Sequence, residues 1–144
     1  MNFKRIKYIR EENEMTQEDV ANILKVERST YAGWETGKDT IPLTRLNDFC
    51  NYFNVSMDYV TGLTDNEACK YKISDIDIKV VSTNLRKIRQ DNKLTQKDIF
   101  DYLNTTSSTY SAYETGKVLI KTSFVYSIAK KYKYSIDWIL GKTN

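Results

Sequence analysis

One segment of about sixty residues occurs twice in this chain of 144 residues. The decapeptide STYAGWETGK at 29–38 returns as STYSAYETGK at 108–117, displaced by 79 positions. Aligning 3–64 with 82–143 without a gap gives 19 identities in 62 positions, and most of the differences are conservative. Two copies of this length fit two small autonomous domains better than a solenoid that stacks repeats in series. Each core is near the lower size limit for independent stability.

Charge is divided unevenly between the two copies. Residues 1–64 hold 8 Lys or Arg against 10 Asp or Glu, net −2, whereas residues 83–144 hold 11 against 5, net +6. A basic balance permits nucleic-acid binding without requiring it. No apolar run approaches the roughly 18 residues of a membrane span, and the N-terminus lacks the apolar stretch of a signal peptide. We therefore expect a cytoplasmic protein that has no membrane partner.

The residue types that usually carry catalysis or bind metals are scarce. The chain has no histidine, and its two cysteines, Cys50 and Cys69, have no metal-type spacing, so we expect free thiols. It also has no glycine-rich phosphate loop and no glycine-flanked serine. We expect no enzyme activity, no cofactor and no metal site.

Each copy has the pattern of five short helices and no alternating strand pattern. In the first copy, Thr16 followed by Asp19 is a variant of the capping box, and Gly37 is a suitable C-terminal residue for the third helix. The five predicted helices are 3–13, Thr16 to about Leu24, Glu27 to Glu35, one opened by Pro42, and one from Ser56 to Gly62.

The second copy repeats the same signals. Its first helix should end near Asp91, and the apolar residues Ile76, Val80 and Val81 suggest that it begins as early as Asp75. The remaining boundaries are predicted at Thr95, Thr106, Gly116 and Gly141. We predict a first domain at 1–64, a polar linker at 65–74 and a second domain at 75–144.

Several motifs resemble the Cro and phage-repressor helix-turn-helix family, also called the xenobiotic-response-element type. They are Thr16 and Gln17 opening helix two, the tight turn, the STY segment, the run from Trp34 to Gly37, and the later VSMDYVTG. The resemblance covers both copies in the same order. It implies an all-α chain of two tandem five-helix, lambda-repressor-like domains, in which helix three enters the major groove of double-stranded DNA and helix two crosses the backbone.

The resemblance also implies which residues face DNA. The outward positions of helix three are Arg28, Ser29, Ala32 and Gly33 in the first copy, and Ser107, Ser108, Ser111 and Ala112 in the second. Arg28 is suited to a bidentate contact with guanine or a contact with a nearby phosphate. Gly33 would let the backbone approach the groove, or is an unused position that tolerates glycine. The three serines discriminate bases poorly.

Further residues are assigned by the same resemblance. Gln17 and Gln96 would point toward the DNA backbone, and the expected phosphate contacts after helix three are Lys38, Lys117 and Lys121. Two internal ion pairs are expected to be structural: Arg10 with Glu35, and Arg89 with Glu114. Glu27 departs from the family, which usually has Ser, Thr or Asn at this N-cap, and its carboxylate repels phosphate.

Two functions from different classes remain open. In the first, the chain is a tandem repressor-type transcription regulator whose two copies bind adjacent half-sites on double-stranded DNA. The oligomeric state stays open, and a second copy of the chain (a homodimer) or a protein partner are the alternatives beside DNA. In the second, it is an antitoxin-like or phage-encoded interaction module with one copy on DNA and the other on a protein partner. A protein-binding face would expose aromatic side chains such as Tyr126 or Tyr134, whereas a DNA-binding face keeps Lys and Arg around helix three.

Overall fold

A computed structural model describes residues 3–67 and 72–143, and these residues form ten α-helices and no strand. The all-α prediction is confirmed. The chain folds as two compact units, unit 1 at 1–73 and unit 2 at 74–144. Part of the predicted linker, including Cys69, lies outside the described residues, and the assignment of 65–74 as a linker stays a prediction.

Unit 1 contains five helices. The second and third pack against each other, the first packs on the third and fifth, and the fourth packs on the second and fifth. Their bounds are α1 Lys4–Glu12, α2 Gln17–Leu24, α3 Arg28–Thr36, α4 Leu43–Phe53 and α5 Met57–Thr61.

Unit 2 repeats this order. Its third helix packs on the first and second, and its fifth helix packs on the first and fourth. The bounds are α6 Ile78–Asp91, α7 Gln96–Tyr102, α8 Ser107–Glu114, α9 Thr122–Tyr132 and α10 Ile136–Ile139.

Both cores are built from the same aligned positions. Tyr31 and Tyr110 are fully buried at matched places, and Trp34 of unit 1 is replaced by the equally buried Tyr113 in unit 2. In each unit these two rings meet edge to face, with centroids 6.1 and 6.3 Å apart. Cys50 is buried, as is its counterpart Ala129, which agrees with a packing role.

Local capping fixes where the second helix of each unit begins. The Thr16 hydroxyl accepts a hydrogen bond from Asp19 N at 3.1 Å, and the Asp19 carboxylate accepts one from Thr16 N at 2.8 Å. Thr95 and Asp98 form the same box with the same two distances. These reciprocal bonds satisfy N–H groups that lack a partner inside the helix. The backbone donor also holds the pKa of each aspartate below its ordinary value.

The start of α6 differs from the prediction. The apolar pattern suggested helix from Asp75, but α6 begins at Ile78. The reason is the Asp77 side chain, which accepts a hydrogen bond from Lys79 N at 2.9 Å and so caps the helix three residues later.

In each unit, a side chain of the first helix forms hydrogen bonds with the region of the last helix, and the sequence did not predict this contact. Arg5 donates to the carbonyls of Tyr59 and Thr64 and pairs with Asp65. Asn84, at the matched position of unit 2, donates to the carbonyls of Trp138 and Ile139 at 2.9 and 3.2 Å. Both residues donate to carbonyls in or just after the fifth helix, near its C-terminal end, where the last carbonyls have few intrahelical donors.

Candidate nucleic-acid interface

The third helix of unit 1 presents some, but not all, of the predicted outward residues to solvent. Arg28 and Ser29 are exposed and Ala32 is half-buried. Gly33 is buried, which differs from the prediction of an open position. Asp39 in the following loop bonds through its N–H to the Gly33 carbonyl at 3.2 Å, and its carboxylate lies 3.2 Å from where a Cβ on Gly33 would stand. The loop therefore contacts the backbone at Gly33, and the two alternatives for this glycine, approach to the groove or an unused position, both stay predictions.

A chain of hydrogen bonds runs from the interior of unit 1 to Arg28. Arg10 Nε donates to Glu35 Oε2 at 2.8 Å, and Arg10 Nη2 donates to Glu35 Oε1 at 3.0 Å. Gln17 Nε2 donates to Glu35 Oε1 at 3.2 Å, and Arg28 Nη1 donates to Gln17 Oε1 at 3.2 Å. These contacts join α1, α3 and α2 and end on an exposed guanidinium at the first turn of α3.

The ion pair between Arg10 and Glu35 is buried. The Glu35 side chain is 2% exposed and the Arg10 side chain 11% exposed. Burial opposes the charged form of Glu35, but hydrogen bonds, above all from Arg10, outweigh burial and hold the pKa of this carboxyl below its ordinary value. The hydrogen bond to Glu35 likewise raises the pKa of Arg10. Both groups are therefore charged at neutral pH, and Gln17 has a fixed acceptor for its amide.

Unit 2 has the same ion pair and the same glutamine contact as unit 1, but it lacks a counterpart of the Arg28–Gln17 hydrogen bond. Arg89 Nε donates to Glu114 Oε2 at 3.0 Å, and Gln96 Nε2 donates to Glu114 Oε1 at 3.3 Å. The matched partner of Arg28 is Ser107, which is too short to reach Gln96 in the way that Arg28 reaches Gln17.

The hydroxyl groups at the start of α8 contact one another. Thr106 Oγ1 accepts from Thr109 N at 3.2 Å and donates to Thr109 Oγ1 at 2.8 Å, and it lies 3.3 Å from Ser108 Oγ. Ser107 and Ser108 are exposed, whereas Ser111 and Ala112 are half-buried. Glu27, the counterpart of Thr106, makes no side-chain cap bond in the described part of unit 1. The N-cap side chain therefore accepts a backbone hydrogen bond at the start of the third helix in unit 2, but not in unit 1.

The predicted phosphate-binding lysines are all on the surface. Lys38, Lys117 and Lys121 are exposed, and Lys121 Nζ lies 5.5 Å from the centroid of the Phe124 ring. The structure contains no DNA, so the contacts of these lysines and of the other assigned residues stay predictions.

Several charged residues in the second helix of each unit and in the turn before it were not singled out from the sequence. We call the docking edge the N-terminal ends of the second and third helices, the turn before the second and the loop after the third. It comprises 14, 17–19, 27–29, 38–39 and 42 in unit 1, and 93, 96–98, 106–108, 117–118 and 121 in unit 2. Its exposed acids in unit 1 include Glu14 and Glu18, and lysines stand at both matched positions of unit 2, Lys93 and Lys97. Comparing charge sign at aligned positions, rather than summing charge over each half, reveals them.

The aromatic residues proposed for a protein-binding face are half-buried. Tyr134 stacks on Trp138 with ring centroids 5.5 Å apart, and Tyr126 has the Lys130 ammonium 5.8 Å from its centroid. Among the described residues, the more exposed tyrosine rings are Tyr8, Tyr52 and Tyr102. These rings lie on three different helices, α1 and α4 in unit 1 and α7 in unit 2.

Within residues 3–67 and 72–143, no group of three or more His, Cys, Asp or Glu side chains is arranged to hold a metal ion. Among the helices of these same residues, none combines the length and apolar character that crossing a bilayer requires.

Comparison with known proteins agrees with the resemblance. The family model described as Helix-turn-helix matches residues 6–60 and 85–139, once in each unit. A curated relative, the "Uncharacterized HTH-type transcriptional regulator YobD" of Bacillus subtilis (strain 168), is 31% identical over 84 residues, which span 58% of this chain and 67% of the relative. No solved structure matches the chain significantly. Since the family model covers both units, the chain belongs to the Cro/C1-type helix-turn-helix family of DNA-binding regulators and carries its domain twice.

Proposed function

We propose that this protein is a sequence-specific transcriptional repressor whose two units bind adjacent half-sites on double-stranded DNA. The observation that carries the proposal is the chain of contacts from Arg10 through Glu35 and Gln17 to Arg28. It ends in an exposed cation at the start of the helix that, in this family, enters the major groove.

Arg28 is suited to base recognition because only part of its hydrogen-bonding capacity is used. A guanidinium has five N–H donors in a planar fork, and Nη1 donates to Gln17 at 3.2 Å. The remaining donors suit the O6 and N7 acceptors of guanine. Because Gln17 is itself held by Glu35, the guanidinium starts from a restricted set of positions, which reduces the entropy lost on binding.

Two binding units in one chain fit a site with two half-sites. The predicted linker, 65–74, reaches at most about 33 to 36 Å when fully extended. Half-sites for helix-turn-helix pairs are about 34 Å apart, so both inverted and direct arrangements are compatible with this reach. A protein bound across such a site blocks access to an overlapping promoter, which is the basis of the proposed repression.

Selection of bound fragments from random double-stranded DNA tests the proposal. We expect a recurrent sequence containing guanine, and native mass spectrometry of the complex should show one chain per pair of half-sites. Failure of the folded, full-length chain to retain any DNA at 50 mM salt would leave the protein-partner alternative as the better one.

Substitution of Arg28 tests the residue that carries the proposal. Arg28→Ala should weaken binding to the selected sequence by about 1 to 3 kcal/mol without changing the melting temperature, because it removes an exposed base contact. Lys7→Ala is the matched control, since Lys7 is an exposed cation on α1 that pairs with Glu11 at 3.9 Å. Equal affinity of Arg28→Ala and the parent protein for the selected DNA would remove Arg28 from the interface.

A further inference from the structure

The two docking edges have opposite charge. In unit 1 the edge has two cations and five carboxylates, net −3; in unit 2 it has four cations and one carboxylate, net +3. The charged residues are Arg28, Lys38, Glu14, Glu18, Asp19, Glu27 and Asp39 in unit 1, and Lys93, Lys97, Lys117, Lys121 and Asp98 in unit 2.

All of these side chains are exposed, so an approaching phosphate meets them directly. Lys97 pairs with Asp101 one helical turn further on, yet its side chain remains 71% exposed. Counting Asp101 with the edge leaves unit 2 at net +2, still opposite in sign to unit 1. Asp19 and Asp98 are matched members of the two capping boxes and do not contribute to the difference.

The charge difference determines which unit binds the DNA backbone more strongly. Each phosphate neutralised by a lysine or arginine releases condensed counterions, and this release supplies nearly all sequence-independent affinity. Carboxylates within about 10 Å of a phosphate oppose its approach at 0.1 M salt. The edge of unit 1 therefore repels the backbone that the edge of unit 2 attracts.

For base recognition, by contrast, unit 1 is the better equipped of the two units. Unit 1 presents Arg28, a long side chain with free donors, at the start of α3. Unit 2 presents hydroxyls at the matched place, and Thr106 uses its hydroxyl to cap α8. Short hydroxyls contact more than one base, and so they add little discrimination.

We propose that the two units have different tasks on one asymmetric DNA site: unit 2 binds the phosphate backbone with little regard to sequence, and unit 1 reads a guanine-bearing half-site beside it. This inference rests on the proposed function. Unit 1 overcomes its acidic edge because attachment to a bound unit 2 makes its own binding intramolecular, at an effective concentration that is set by the length of the segment joining the two units. The site is asymmetric because only one half of it is read closely.

Exchange of matched residues in the full-length chain tests this division. Glu14 and Lys93 occupy the same turn with the same left-handed backbone, φ 55° in both. Glu18 and Lys97 are each the second residue of their helix. Lys93→Glu with Lys97→Glu gives unit 2 the residues of unit 1, and Glu14→Lys with Glu18→Lys makes the reverse exchange. Each double variant thus places at each position the side chain that the matched position of the other unit has, and Lys97→Glu also removes the ion pair with Asp101, which is Asn22 in unit 1.

Affinities should be measured for the selected DNA and for a scrambled duplex between 50 and 400 mM salt. We expect Lys93→Glu with Lys97→Glu to weaken binding to both duplexes by at least about tenfold, and to flatten the plot of log affinity against log salt by about 1.8, or 0.9 per lost phosphate contact. Glu14→Lys with Glu18→Lys should strengthen binding to the scrambled duplex more than to the selected one. Arg28→Ala should weaken binding to the selected duplex far more than binding to the scrambled one.

Two results would overturn the inference while leaving the proposed function intact. One is sequence-specific binding by the parent chain with no more than a twofold loss of affinity in Lys93→Glu with Lys97→Glu. The other is equal sensitivity of the two half-sites to base changes in the selected DNA. Absence of all DNA binding by the folded parent chain would instead refute the proposed function, so the two failures are distinct. Circular dichroism melts of each double variant verify that it is folded.

Discussion

At the scale of single residues, each position of one unit can be compared with the aligned position of the other. Gly33 and Ala112 occupy matched positions in the third helices, and the chain therefore already contains alanine at this place once. Glycine inside a helix costs about 1 kcal/mol relative to alanine. Outside α3 itself, the nearest described atom to a new Cβ at Gly33 is Asp39 Oδ2, which lies at the end of an exposed side chain.

Gly33→Ala should stabilise unit 1 by about 0.5 to 1 kcal/mol, because the gain in helix propensity exceeds the small shift required of Asp39. The measurement is the urea midpoint followed by fluorescence of Trp34 in a Trp138→Tyr background, and for changes in unit 2 by fluorescence of Trp138 in a Trp34→Tyr background. Ala112→Gly in unit 2 is the matched reverse change and should destabilise. A lower midpoint for Gly33→Ala would mean that Asp39 is fixed in place over the helix.

The charge of Glu35 makes the stability of unit 1 depend on pH. Burial opposes this charge, but the hydrogen bonds led by Arg10 outweigh burial and lower the folded pKa, so the stabilisation is present above the unfolded pKa of about 4.3. It is lost as the pH falls through the folded pKa. We expect Glu35→Gln to be less stable than the parent at pH 7 and the difference to shrink steadily below about pH 4.3. Urea midpoints at pH 3 to 7 measure this, with Glu12→Gln, an exposed residue of α1, as the control. A difference independent of pH would show that the charge of Glu35 does not matter.

At the scale of the helices, side-chain caps mark where several of them begin. Thr16, Thr95, Ser56 and Ser135 each accept a backbone hydrogen bond at the start of a helix. By contrast, α3 has Glu27 as its N-cap, with an extended backbone and no side-chain cap bond in the described residues. The matched helix α8 is capped by Thr106.

Glu27→Thr should stabilise unit 1 by about 0.5 to 1 kcal/mol, because threonine supplies the side-chain cap that Thr106 provides in unit 2. The same change removes a carboxylate beside Arg28 and should strengthen binding to both selected and scrambled DNA. Thermal melts and DNA titrations measure the two effects separately, and Thr106→Glu is the reverse control. Stabilisation without a change in affinity would place this end of α3 away from the phosphates.

At the scale of the whole molecule, the chain is two units with separate cores, 1–73 and 74–144. Each unit contains one tryptophan, Trp34 or Trp138, and tyrosine stands at both matched positions in the other unit. Trp34→Tyr and Trp138→Tyr therefore yield chains in which a single tryptophan reports on one unit.

Arg10→Ala should destabilise unit 1 by about 3 kcal/mol, because it strands the buried carboxylate of Glu35. Arg89→Ala should cost less, since the Arg89 side chain is 21% exposed and water reaches its place. With separate cores, Arg10→Ala should shift the unfolding seen by Trp34 and leave that seen by Trp138 unchanged. A common shift at both tryptophans would show that the units unfold together, and unchanged melting with lost DNA affinity would place these arginines on phosphate.

The sequence alone determined the features that depend on neighbouring residues or on the repeat. The capping boxes at Thr16 and Thr95 and the helix end at Gly37, where φ is 81°, follow from short-range rules on hydrogen bonding and backbone sterics. The pairing of Arg10 with Glu35 came from the family resemblance, and in the structure Arg10 Nε lies 2.8 Å from Glu35 Oε2.

Only the tertiary structure decided three further contacts between different helices and loops. The cover of Asp39 over Gly33, the link from Gln17 to Arg28, and the tie of Arg5 to the end of α5 each depend on how helices and loops pack. Side-chain periodicity identifies which face of a helix is buried, but it contains no information on which polar groups meet across elements. Packing determines these hydrogen bonds, because a buried donor or acceptor must bond to a polar group that the fold places within hydrogen-bonding distance.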